Sequence, residues 1–230
     1  MIGVCIPAHD EAADIGACLA SVEEAARQVG REAVRVVVVA DACSDATAAI
    51  ARAAGCDVLT VDVRCVGAAR AAGADYLLKL GARWLCCTDA DTRVPSHWIT
   101  VQLACGSDAV CGTVGVDDWQ EHPAHVAEAF NRHYQDRDGH RHVHGANFGI
   151  SAAAYRLAGG FLSLVAHEDV RLVEMLVAQQ ASIAWVRDPQ VLTSARRLAR
   201  APGGFSHWLG KQSVQPHSAG LGQNLGLAVG

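Results

Sequence analysis

The chain has no excess of positive charge: 19 Lys and Arg stand against 24 Asp and Glu, a formal net charge of −5 over 230 residues. A general basic surface that would hold nucleic acid through its phosphates is therefore excluded. Nine cysteines, at positions 5, 18, 43, 56, 65, 86, 87, 105 and 111, include no C-x-x-C pair, which argues against a zinc or redox motif. Their setting in apolar runs reads as small buried residues in a reducing cytosol. No apolar stretch reaches the roughly 18 to 20 residues needed to span a bilayer, and the first seven residues lack the basic region and cleavage site of a signal peptide. The expectation is a cytoplasmic protein, soluble or at most peripheral to a membrane. No G-x-G-x-x-G follows the first apolar run and no Walker A motif occurs, which argues against a Rossmann dehydrogenase and a P-loop NTPase. There is no internal repeat.

What is present is the material of a core. Hydrophobic residues make up 51% and charged residues 19% of the chain, and the length suits one α/β domain rather than two. A β-rich run over 2–7 precedes a helical pattern over 11–29, and residues 34–40 are nearly all β-branched, as in a strand covered on both faces. An Ala-rich helix over 46–54 stops at Gly55, the residue type expected just past a helix end. A strand over 57–63, a helix over 67–80 and a strand over 84–88 complete a β-α alternation that predicts a mainly parallel central sheet flanked by helices. Beyond residue 95 the pattern weakens. A strand over 109–116, a helix over 121–137 crowded with His, Asp and Arg, a strand and turn opening a helix over 146–157, a helix over 169–181 and a strand over 183–187 are expected. The tail over 214–230 reads as loosely ordered.

The most informative feature is Asp89-Ala90-Asp91, directly after the strand 84–88. Ligands of open parallel sheets bind at the carboxyl ends of strands. Carboxylates one residue apart in an extended segment point to the same side, so Asp89 and Asp91 are candidates to share a hard cation, Mg2+ or Mn2+. A solvated acidic turn is the alternative.

Three further segments flank it in order: Val4-Cys5-Ile6-Pro7-Ala8-His9-Asp10-Glu11, Val39-Ala40-Asp41-Ala42-Cys43-Ser44-Asp45-Ala46-Thr47, and Gly67-Ala68-Ala69-Arg70-Ala71-Ala72-Gly73. Together with the acidic pair they resemble family 2 glycosyltransferases of the GT-A fold, over roughly residues 1–200. The resemblance implies a single domain over 1–213, with a nucleotide-binding half (1–92) and an acceptor-binding half (93–213). It also implies transfer of a sugar, with inversion and metal assistance, from a nucleotide-sugar, here a UDP-sugar, to an acceptor hydroxyl.

Carried over residue by residue, it puts Asp10 or Glu11 near the nucleotide, with backbone contacts from Pro7 and Ala8. It places Asp41 at the nucleobase, although Ala40-Asp41 has one acid where the family commonly has two. Ser44 and Asp45 read as helix N-caps. Arg70 falls beside the nucleotide and metal site, with a plain surface Arg as the alternative. Asp89 and Ala90 adjoin the donor diphosphate, and Asp91 with Asp89 binds the metal. His144-Gly145-Ala146-Asn147 resembles the acceptor segment. His144 is left open between substrate contact, metal ligand and packing, and Asn147 between acceptor contact and turn residue. Glu168-Asp169 matches the family's Glu-Asp motif, with Glu168 on the acceptor side and Asp169 as general base; capping of the following helix is compatible with that role. Arg196 and Arg197 suit a loop that closes over the diphosphate, or a solvated basic helix face, or an anionic membrane.

The histidine cluster His133, His140, His142 and His144 is a second candidate metal site, without carboxylate or Cys partners at fixed spacing. His122, His125 and His133 are expected on the surface of a polar helix. A nucleotidyltransferase is disfavoured because Ala8-His9-Asp10-Glu11, after the first strand, is acidic where such enzymes carry a glycine-rich basic loop. A nucleotide-sugar-binding protein without catalysis would keep Asp41 and Asp91 and have no need of Asp169.

Overall fold

Side chains alternate along the first strand, and the two faces go to two different cores. In the computed structural model, which describes residues 1–116, 118–119 and 122–194, strand β1 is Ile2–Ala8. Its Ile2, Val4, Ile6 and Ala8 join one apolar cluster, whereas Cys5 joins the other. β2 (Val34–Asp41) does the same: Val38 goes to the first cluster and Val37 and Val39 to the second. A strand buried on both faces has to read as a continuous apolar run, and that is the pattern at 34–40.

The elements that cover these faces follow in order: α1 (Ile15–Arg27), α2 (Thr47–Ala53), β3 (Asp57–Val61), α3 (Val66–Lys79), β4 (Trp84–Cys87), β5 (Thr92–Arg93), α4 (Trp98–Ala104), β6 (Ala109–Val116), α5 (Ala124–His133), β7 (Phe148–Ser151), α6 (Ala152–Leu157), α7 (Glu168–Ala178) and β8 (Ile183–Thr193). The strands form one sheet in the order β3-β2-β1-β4-β7-β6-β8-β5. β1 to β4 pair in parallel, while β7 runs antiparallel to both β4 and β6, so the sheet is mixed in its second half. Helices α1 and α4 bury Ile15, Leu19, Val22, Trp98 and Ile99 on one face; α3 and α7 bury Leu77, Leu172, Val173 and Leu176 on the other.

Several expectations need correction beyond residue 95. The helix expected over 121–137 is only Ala124–His133, and His122 is buried, 8% exposed, with its ring edge against Trp119 rather than on the surface. The seven-residue α4 was not anticipated; it has no side-chain cap. The strand expected over 183–187 continues to Thr193 through Pro189, which reads as a strand breaker because it lacks a backbone donor. A register shift between Gly112 and Val114 of β6 accompanies the pairing on that side. All nine cysteines are free thiols; Cys5, Cys18, Cys86, Cys87 and Cys111 are buried as expected, whereas Cys43, Cys56, Cys65 and Cys105 are partly exposed. No helix among the described residues is long and apolar enough to cross a membrane.

Helix α3 lies close on the sheet through small residues. A Cβ at Gly73 would overlap Cys5 Sγ and press on Val39 at 3.0 Å. Replacing a helix-interior glycine by alanine ordinarily gains about 0.5–1 kcal/mol, but overpacking costs about 1–3 kcal/mol, so Gly73→Ala should be net destabilising. Gly16→Ala, in α1 with nothing within 4 Å of the added carbon, should be stabilising or neutral. Urea midpoints with unchanged slopes would measure both; a midpoint raised by Gly73→Ala would refute the close-approach argument.

Candidate active site at the carboxyl ends of the parallel strands

Each of the first three strands is followed within three residues by a non-glycine residue in the left-handed region: Asp10 (φ 52°) after β1, Ala42 (φ 50°) after β2 and Arg64 (φ 46°) after β3. His167 (φ 64°) does the same ahead of α7. Such conformations are costly outside glycine and persist where surrounding contacts over-determine them. Around Asp10 and Arg64 carboxylates supply those contacts.

The loops after β1 and β2 are latched to each other. Ser44 N–H (2.7 Å), Asp45 N–H (3.3 Å) and the Ser44 hydroxyl (3.2 Å) donate to Asp10 Oδ1, and those bonds, the Ser44 amide foremost, hold the Asp10 carboxyl below its usual range. In return Ala12 N–H donates to Asp45 Oδ2 at 2.9 Å. Thr47 N–H donates to Asp45 Oδ1 at 2.9 Å, while the Thr47 hydroxyl accepts Glu11 N–H at 2.7 Å. Asp45 thus bonds the Thr47 N–H that opens α2, but the N-cap position is Ala46, with no side-chain cap, so neither Ser44 nor Asp45 is the N-cap; Ser44 spends its hydroxyl on Asp10. Ligand atoms of Asp10, Cys43 and Asp45 lie within 4.8 Å of one another; the hydrogen bonds just given account for their proximity. Pro7 and Ala8 end β1 beside this latch, and the Cys43 thiol reaches the Ala8 carbonyl at 3.4 Å. Glu11 is buried.

Asp41 is committed as well. Its Oδ1 accepts Val63 N–H (2.8 Å) and Arg64 N–H (2.9 Å), its Oδ2 accepts Cys65 N–H (2.8 Å), and the residue is 4% exposed. Three of a carboxylate's four or so acceptor positions are filled by one loop. Asp41 thus shapes the 63–65 loop.

The carboxyl end of β4 carries the acidic pair. Asp89-Ala90-Asp91 is not extended: Thr92 N–H donates to the Asp89 carbonyl at 3.1 Å and closes a turn. The alternation argument for two parallel carboxylates therefore does not apply. Ala90 is buried, and Asp89 and Asp91 are partly exposed. Asp89 is bound to Arg70, and Asp91 Oδ1 lies 3.4 Å from the Thr92 hydroxyl. An all-oxygen donor set on partly exposed side chains fits a hard divalent cation, with Asp91 the better placed of the two, because Asp89 also carries the arginine.

Arg70 is no surface residue; it is 2% exposed. From α3 its Nη1 donates to Glu168 Oε1 at 2.5 Å and its Nη2 to Asp89 Oδ1. Burial alone would lower its pKa, but Asp89, Glu168 and then Asp169 outweigh burial and raise it, so the cation is kept. Glu168, 4% exposed, is pushed up by burial, pulled down by Arg70 and pushed up again by Asp169. Gly145 is what lets the guanidinium sit there, because a Cβ at that position would fall on Arg70 Nη1. The neighbouring Asp169, partly exposed, accepts Gly145 N–H on Oδ2 (2.6 Å) and Val170 N–H on Oδ1 (2.8 Å). Each oxygen keeps acceptor capacity.

The fold thus brings Arg70, Asp89, Gly145, Glu168 and Asp169 into one cluster across α3, β4 and α7. It does not bring Asn147 to an acceptor. That residue is 1% exposed; its amide donates to the carbonyls of Thr113 (2.8 Å) and Pro189 (2.7 Å), and its oxygen accepts Trp98 Nε1–H (2.9 Å). Arg196 and Arg197 lie outside the described residues. Sequence reasoning missed Tyr134, whose hydroxyl lies 3.0 Å from His144 Nε2; ten residues of irregular chain separate the two, and no spacing rule connects them.

Two of the histidines after Tyr134, His140 and His144, are held as neutral rings. Burial, then the charges of His142 and His140, push the His144 pKa from 6.5 down to about 3, and burial also lowers His140. The unfolded chain takes up these protons as pH falls through about 6.5 while the folded chain resists, so the stability is full above that pH and lost below it, at up to about 1.4 kcal/mol per pH unit for each ring. The melting temperature should fall between about pH 7 and about pH 5. Glu168, with its raised pKa, acts in the opposite sense, so the comparison with His144→Gln isolates the histidine: the variant's slope should be shallower, and an equal slope would contradict the assignment.

The sequence model described as Glycosyl transferase family 2 matches residues 3–158, more than half of the chain. No curated protein matches in sequence. Among solved structures, S. aureus TarS 1-349 in complex with UDP-GlcNAc superposes with a TM-score of 0.66 at 14% identity, over 89% of this chain and 61% of that one. The mannosyltransferase PcManGT from Pyrobaculum calidifontis, in complex with GDP-Man and Mn2+, gives 0.63 at 17% identity, over 86% of this chain and 58% of that one. M. tuberculosis glucosyl-3-phosphoglycerate synthase gives 0.55 at 19%, over 93% and 76%. The chain therefore spans about three fifths of the length of TarS 1-349 and PcManGT. At these identities the superpositions speak for the fold, a GT-A arrangement, and the sequence match speaks for the family: the chain belongs to glycosyl transferase family 2.

Proposed function

We propose that this protein transfers a sugar from a nucleotide-sugar, with a UDP-sugar as the first candidate, to an acceptor hydroxyl with inversion, and that Asp169 is the general base. One observation carries the assignment. Of the two adjacent acids that open α7, Glu168 is buried and tied to Arg70, whereas Asp169 is partly exposed and held by two backbone N–H groups with acceptor capacity left over. That is the arrangement a base needs, a fixed carboxylate able to reach a proton. The acceptor oxygen, as it loses its proton to Asp169, attacks the anomeric carbon, and the bond to the diphosphate breaks on the opposite side.

Asp91, with Asp89 beside it, would hold Mg2+ or Mn2+, which when bound would neutralise charge on the leaving diphosphate. Pro7, Ala8, Asp10, Glu11 and Asp41 form the nucleotide rim. Asp10 and Asp41 act there through the loops they hold, leaving backbone groups to meet the nucleotide, and Arg196 and Arg197 remain candidates for the diphosphate. TarS, solved with UDP-GlcNAc, and PcManGT, solved with GDP-Man and Mn2+, make uridine and guanosine nucleotides the first to try.

The test is a thermal-shift series with UDP, GDP, dTDP and CMP derivatives, with and without Mn2+. Stabilisation of about 2.7 kcal/mol is expected when the right nucleotide is at about one hundred times its dissociation constant, with a Mn2+-dependent part that Asp91→Asn removes. No response to any nucleotide with metal would sink the proposal.

A further inference from the structure

Tyr134 and the three histidines after it form a row of stacked rings that the reading above leaves without a task. The Tyr134 and His142 rings lie 4.3 Å apart and nearly parallel, with His144 and His140 following at 5.9 and 5.4 Å from His142. Every ring has one nitrogen lone pair taken by a donor. His142 Nε2 accepts Gln135 N–H (3.1 Å). His140 Nδ1 accepts His142 N–H (3.1 Å), and its Nε2–H donates to the Val186 carbonyl (3.1 Å).

Val114 N–H donates to the Tyr134 hydroxyl at 2.8 Å, so that hydroxyl is an acceptor on one side. Its remaining hydrogen-bond contact among the described residues is His144 Nε2 at 3.0 Å. Were His144 to donate there, the buried hydroxyl proton would have no acceptor, which costs about 1–3 kcal/mol. The hydroxyl proton therefore goes to Nε2, and the imidazole proton sits on Nδ1. A ring nitrogen that accepts a hydrogen bond has no lone pair left for a metal, which argues against His140, His142 and His144 as cation ligands.

That leaves the His144 Nδ1–H. It has no partner among the described residues, and it is absent from the polar atoms that are sealed from solvent without one. His144 is partly exposed and immediately precedes Gly145, whose N–H holds the Asp169 carboxylate. We infer that His144 is a specificity residue for the acceptor, a neutral imidazole locked as an Nδ1–H donor that binds a second oxygen of an acceptor whose reacting hydroxyl is at Asp169. The acceptor class this selects is a neutral polyhydroxylated compound, such as a saccharide or polyol. An uncharged donor offers no preference for phosphate, and a lone hydroxyl would leave Nδ1–H unused. The inference rests on the acceptor side of the proposed reaction.

The experiment is long-range 1H–15N correlation on the full chain labelled in histidine. His144 should show the Nδ1–H neutral tautomer at neutral pH, and Tyr134→Phe, which removes the hydroxyl proton, should convert it to a mixture. Adding methyl α-glucoside as a neutral polyol probe should move the Nδ1–H signal. An Nε2–H tautomer, or an Nδ1–H signal that does not respond to the glucoside, overturns the inference. Neither readout needs turnover, so both stand or fall apart from the glycosyl-transfer reading. Where turnover is seen, His144→Phe should lower transfer to glycerol relative to donor hydrolysis by about three- to tenfold; an unchanged ratio also overturns it.

Discussion

Asp169→Asn should lower sugar transfer by about 10²- to 10⁴-fold, the usual contribution of a positioned general base, while nucleotide-dependent thermal stabilisation survives. Among the described residues Asp169 bonds only to the N–H groups of Gly145 and Val170, so an amide in its place keeps one of those bonds and turns its NH2 toward the other. Facing two N–H donors costs about 1–3 kcal/mol of stability, a loss that would show as a few degrees in a melt and would not abolish folding. Single-turnover transfer with the stabilising nucleotide-sugar and glycerol as acceptor is the measurement. A variant retaining more than about a tenth of wild-type transfer would remove Asp169 from the role of base.

Arg70→Met is expected to have the largest effect on stability. The guanidinium lies between Glu168 and Asp89 and is almost wholly removed from water. Methionine keeps much of the volume but abandons two carboxylates, one of them buried. Breaking a buried ion pair by deleting one partner costs about 3–5 kcal/mol, and for a chain of this length each kcal/mol moves the melting temperature by about 2–4 °C, so a fall of about 6–20 °C is expected. Arg70→Lys should recover little, because a single ammonium does not span two carboxylates as the planar fork does. Gly145→Ala should mimic the loss from the other side, since its Cβ occupies the space of Nη1. A melting temperature in Arg70→Met within two degrees of wild type would mean that the network contributes little to folding.

The first four strands and three helices were legible because both faces of the sheet are covered there: unbroken runs such as Val36 to Val39 leave no other reading, and Gly55 and Gly81 mark the ends of α2 and α3 in the left-handed conformation. The second half was harder for identifiable reasons. α4 is two turns without a capping side chain, β8 passes through a proline, and the histidine-rich segment looked polar although His140 and His142 are buried. At the site, the acids were found in order, but what each one binds was not. Asp10, Asp41 and Asn147 look like ligand contacts in sequence, and their hydrogen bonds are filled by loops and strands distant along the chain. Such saturation is a property of the folded arrangement and leaves no trace in local spacing. Glu168 and Asp169 are neighbours of one chemical type, and only burial separates them.

The reciprocal bonds between Asp10 and Ser44 and between Asp45 and Ala12 have a consequence for ligand entry. A rim cross-tied in this way is ordered before anything arrives, so a nucleotide docking there need not freeze it, and the entropic penalty of association falls on the ligand's own rotors instead. Cutting a tie, for instance with Asp45→Ala, should therefore slow capture and weaken affinity even though the deleted side chain need never meet the guest.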